Sequence, residues 1–80
     1  MPARDPRLDP KVEDVVESED GKVRRTVERV AGRGMIIEYL WTGSVDPDGL
    51  TTFRGRKRCK LENWRRWCRE HKAKIVKQKS

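Results

Sequence analysis

Two rhythms of apolar residues divide the chain. Between Val12 and Phe53 they come in short bursts separated by turn residues; beyond Leu61 they return every three to four positions. The second rhythm is the plainer. Leu61, Trp64, Cys68, His71 and Ile75 fall on one stripe of a helix, with Trp67 beside it. This spacing predicts a helix over residues 61–76 that buries Trp64 and leaves Trp67 partly exposed. Arg65, Arg66, Arg69 and Lys72 fall on the remaining faces of that helix.

The first rhythm predicts strands. Val12, Val15 and Val16 suit a strand over 12–17 better than a helical turn, because β-branched valine dominates. Asp20-Gly21 then marks a turn. In 23–30, Val23, Val27 and Val30 also fit a helix face, yet Arg24, Thr26 and Glu28 alternate with Val23, Arg25 and Val27. The flanking turns, Asp20-Gly21 and Gly32-Arg33-Gly34, favour the hairpin strand. Residues 35–41 form the clearest strand, with Met35, Ile37, Tyr39 and Trp41 on one side and Ile36, Glu38 and Leu40 on the other. Being apolar on both sides, it belongs in the middle of a sheet or half under the helix. An acidic loop from Thr42 to Gly49, with a Pro47-Asp48-Gly49 turn, leads into a strand at 50–54 that Gly55 breaks or bulges.

Prolines at positions 2, 6 and 10 make residues 1–11 an extended arm, and 77–80 a basic tail. The rest, 12–76, is one small domain. Its fold class is α+β: a small curved antiparallel sheet of three to five strands, SH3-like and a partly open barrel, packed by one C-terminal helix.

Charge sharpens this picture. The net charge is +7, but residues 1–50 carry a net of −3 and residues 51–80 a net of +10. Such polarity favours an anionic partner: DNA or RNA through its phosphate backbone, an acidic protein or anionic lipid. A solvated, solubilising face is the plainer explanation of the same charges. No run approaches a membrane span. The opening MPARDPRLDP lacks the apolar centre of a signal peptide, which points to a cytoplasmic setting with Cys59 and Cys68 reduced.

The series Val15-Val16, Asp20-Gly21 with Arg25 and Val27, Ile37-Glu38-Tyr39-Leu40-Trp41, and Arg58-Cys59 with Leu61 and Trp64-Arg65-Arg66-Trp67 has a further reading. It resembles small uncharacterised proteins of bacterial and prophage genomes, in which a strand meander ends in an Arg/Cys-x-Leu-x-x-Trp-x-x-Trp helix. The resemblance covers residues 12–70. It implies an SH3-like meander plus helix and no particular activity. The chain departs from it at Lys60, where such helices open with Ser or Thr, so Asn63 or a backbone group must cap the helix instead.

The residues with chemical potential are mostly basic. Arg54, Arg56, Lys57, Arg58 and Lys60, followed by Arg65, Arg66, Arg69 and Lys72, are the candidate phosphate contacts, lining one surface if strand end and helix meet. Trp67 is the candidate stacking or docking residue. Cys59, Cys68 and His71, spaced C-x8-C-x2-H, lack the fourth ligand of a structural zinc site, so neither metal nor cofactor is expected. His71 has no identifiable nucleophile beside it, and no glycine-rich phosphate loop is present, so an enzyme is not expected. The expectation is a nucleic-acid-binding domain of largely electrostatic character. The alternative is a protein-interaction module, a phage-encoded inhibitor or adaptor, docking on an acidic protein.

Overall fold

A computed structural model describes residues 4–44 and 52–78. Five strands form one antiparallel sheet: β1 (Val15–Glu17), β2 (Val23–Ala31), β3 (Ile36–Ser44), β4 (Thr52–Lys60) and β5 (Lys74–Lys77). The helix α1 (Leu61–Glu70) lies between β4 and β5 in sequence. Strand order is β4-β3-β2-β1-β5, so the first four strands meander and the fifth returns beside the first. The sheet stays open, with β4 and β5 as its two edges. The fold is therefore α+β, as the two rhythms predict. Among the described residues no helix is long and apolar enough to cross a membrane.

Alternation along the strands decides which side chains meet the helix. Val16, Val27, Ile37 and Tyr39 point to one face and are buried there with Trp64, Cys68 and Ala73. The Trp64 ring meets Tyr39 edge-on at 5.5 Å, a favoured aromatic geometry. Trp67 stays half-buried on the flank of the helix, as its position beside the apolar stripe predicts.

The helix ends earlier than the spacing predicts. It stops at Glu70, and residues 74–77 form β5 against β1 instead. The cause is a Schellman ending: the Ala73 N–H donates to the Cys68 carbonyl at 2.8 Å and the Lys72 N–H to the Arg69 carbonyl at 3.3 Å. Lys72 takes the left-handed conformation there, φ 47°. His71 is consequently exposed, and Ile75 leaves the helical stripe with 40% exposure. At the other end Lys60 offers no side-chain cap. The Met35 carbonyl accepts from the Leu61 N–H at 2.8 Å, so a backbone group does the capping.

Further expectations change. β1 spans only Val15–Glu17 of the expected 12–17, and Met35 lies outside β3 with 57% exposure instead of sharing the face of Ile37. Gly55 neither breaks nor bulges β4, which runs in register from Thr52 to Lys60. Instead the glycine makes room for Trp41: a Cβ at position 55 would lie 2.9 Å from the indole Nε1. The arm is not simply extended either. Its carbonyls at Pro6 and Leu8 accept from Trp64 Nε1 at 3.0 Å and Arg65 Nε at 2.7 Å, and Pro6 is buried. Arg4 forms an ion pair with Asp14, whose side chain is fully buried. Most of the acidic loop, with Pro47-Asp48-Gly49, and the Leu50-Thr51 start of the expected strand lie outside the described residues, as do Lys79 and Ser80 of the tail.

Candidate nucleic-acid interface

β4 carries most of the candidate residues, and its alternation sorts them. Cys59 and Phe53 turn toward the helix side of the sheet, and Lys57 with them. Arg54, Arg56, Arg58 and Lys60 turn to the opposite side. There they form a row with one basic side chain every ~6.8 Å, two residues of extended chain. All four are exposed. Arg56 Nε pairs with Glu28 at 3.1 Å. Among the described residues no ion pair holds Arg54, Arg58 or Lys60. The same face also carries the pairs Arg24–Glu17 at 2.8 Å and Arg29–Glu38 at 3.6 Å, so acidic residues of the first half share it.

The helix basics do not join this row. Trp64 and Cys68 press α1 onto the other face of the sheet, which carries Arg65, Arg66 and Arg69 to that side of the molecule. Arg65 is tied to the Leu8 carbonyl. With Arg69 and Lys72 it borders a groove of about 520 Å³ against the arm, where Arg7 is paired to Asp5 at 2.9 Å. Arg66 stands exposed outside that groove. The nine candidates thus divide between two sides of the sheet and do not form one continuous surface.

Lys57 belongs to a third arrangement, an aromatic and cationic strip on the helix side. Trp41 lies over Gly55, with the Phe53 ring at 4.3 Å and the Lys57 ammonium 4.6 Å from its ring centre. Arg25 is the register partner of Trp41 on β2. Its guanidinium carbon sits 3.9 Å from the Trp67 ring centre and 4.4 Å from that of Tyr39. Trp67 in turn meets His71 at 4.8 Å. Trp67 is therefore packed against a cation and an imidazole rather than standing free.

Arg25 lies outside the basic runs that mark the candidate residues in the sequence. Its signal was present: it lies two residues from both Val23 and Val27, so a strand must place it on their apolar face. Its Nε is buried without a hydrogen-bond partner among the described residues. Burial lowers its pKa, partly offset by the neighbouring Tyr39, though a guanidinium remains charged at any working pH. Burial likewise raises the Tyr39 phenol and the Cys59 thiol, and pushes Cys68 up to about 12. Both cysteines are free. Among the described residues no three His, Cys, Asp or Glu side chains gather into a metal site.

Compared with protein-family models, curated proteins and solved structures, the chain matches none. The functional reading therefore rests on geometry and charge.

Proposed function

We propose that the chain is a cytoplasmic, non-enzymatic domain that binds nucleic acid, largely by electrostatic contact with the phosphate backbone. The observation that carries this reading is the row Arg54, Arg56, Arg58 and Lys60, in which three of four cations have no ion pair among the described residues. Arg66, Arg69 and Lys72 add positive potential from the helix side. Two free thiols suit a reducing compartment. Basic side chains on an edge strand also guard against strand-to-strand aggregation, and a binding measurement separates the two roles.

Fluorescence anisotropy with labelled oligonucleotides across a salt series supplies it. Three to four phosphate contacts predict an affinity loss between 50 and 200 mM salt of about 40- to 150-fold for a duplex and about 20- to 50-fold for a single strand. Arg54→Glu with Arg58→Glu should abolish binding, whereas Arg66→Glu should only weaken it. Absence of binding at low salt would refute the reading and leave the row as an edge guard or as a dock for an acidic protein.

A further inference from the structure

We infer that the nucleic acid is single-stranded, with bases stacking on Trp41 between the cations of Lys57 and Arg25. This inference rests on the reading of the chain as a nucleic-acid binder. Sites for single strands interleave aromatic faces with cations, because every base has a π-face and every linkage a charge. The strip Phe53, Trp41, Lys57 and Arg25 has that composition at close range.

Trp41 is only half-buried, and the group over its ring is an ammonium on a flexible stem. A base takes that place while Lys57 swings to a neighbouring phosphate. Arg25 is already partly desolvated, fixed between Tyr39 and Trp67, and no ion pair among the described residues holds it. An arriving anion therefore displaces no carboxylate.

Topology links the strip to the arginine row. Both flank β4, and β4 is a sheet edge. A single strand laid along this edge meets Arg54, Arg56 and Arg58 on one side and Phe53 and Trp41 on the other. A duplex keeps its bases in its own stack and reaches only the cations.

The test is a titration of the whole chain with a dT oligomer and with a hairpin duplex of equal phosphate count, read by anisotropy and tryptophan emission. The single strand should bind about tenfold tighter and quench emission. Trp64 is buried and Trp67 is packed between Arg25 and His71, so the quench belongs to Trp41 and should disappear in Trp41→Leu. Trp41→Leu should remove the preference and leave duplex binding unchanged. Lys57→Gln, at an exposed position, should halve the preference or more while leaving the thermal melt in place. If Trp41→Leu fails to fold, the wild-type quench and Lys57→Gln still decide. Equal binding of both ligands without quenching would overturn the inference and leave the electrostatic reading standing. Equal quenching by poly-glutamate would also overturn it. Binding of neither oligonucleotide would overturn both.

Discussion

Arg4 and Asp14 set the sharpest test of the fold, because two rules give different magnitudes for their pair. An exposed ion pair contributes about 0.2–1 kcal/mol. Breaking a buried pair costs about 3–5 kcal/mol, because one charge is left without its partner. Asp14 has 0% side-chain exposure and Arg4 16%, which places the pair in the second class, near its lower bound. Arg4→Ala should therefore cost about 3 kcal/mol. An 80-residue chain has a total stability of only about 4–12 kcal/mol. The loss corresponds to a Tm drop of about 12–24 °C. Asp14→Ala should cost about 1 kcal/mol more, because the Lys11 N–H that donates to the Asp14 carboxylate at 2.8 Å also loses its acceptor. The double variant should be little worse than Asp14→Ala alone, with a coupling of about 2 kcal/mol or more. Thermal melts of the four proteins by circular dichroism measure this. Costs that add to within about 0.5 kcal/mol would refute the claim that the arm is held through a buried charge.

Other expectations follow from single features. Lys72→Gly should raise stability by about 1 kcal/mol, since φ 47° at the helix end suits glycine; an unchanged or lower denaturant midpoint would count against the Schellman ending. Cys68, pushed up to about 12 by burial, should resist iodoacetamide at neutral pH until denaturant is added; alkylation of the folded protein at the rate of a free thiol would contradict its burial. The Arg7 side chain holds the Asp5 carboxyl below its ordinary 3.8, and the Ser18 hydroxyl does the same for Asp20. Their stabilisation is present above that value and is lost as pH falls through the lowered ones. Melts across this acid range should show a smaller drop in Ser18→Ala than in the parent, and an identical drop would show that the Ser18 hydrogen bond is not the cause.

The sequence announces its helix and its central strand because both are periodic over many residues. It sets Trp64 and Trp67 on neighbouring lines of the helix, three residues apart, but which of the two is buried is decided by the packing of Trp64 on Tyr39 and not by the spacing. What stays hidden is non-local or carries no residue signature. Residues 74–77 continue the helical spacing, and the turn that ends the helix uses lysine where glycine would have flagged it. Gly55 looks like an interruption until Trp41 is seen lying on it. The prolines of the arm suggest a loose segment, while the partners that fix it, Asp14 and Trp64, lie 10 and 58 residues away. The basic residues of the site are legible as a set. Their division between two faces is not, because it depends on the phase of β4 against β3.

The return of β5 to β1 also governs how the molecule assembles. Strands β1 to β4 pair with sequence neighbours and can zip as hairpins during synthesis. β1, however, keeps one side open until residues 74–77 have been made, after the helix has crossed the sheet. Gln78 then donates to the Arg4 carbonyl at 2.6 Å, tying together positions at the two ends of the described chain. Folding is thus gated by its longest-range contact, which favours slow closure. A nascent chain short of β5 presents a bare strand edge, and that interval is when this protein is most open to pairing with a neighbour of its own kind.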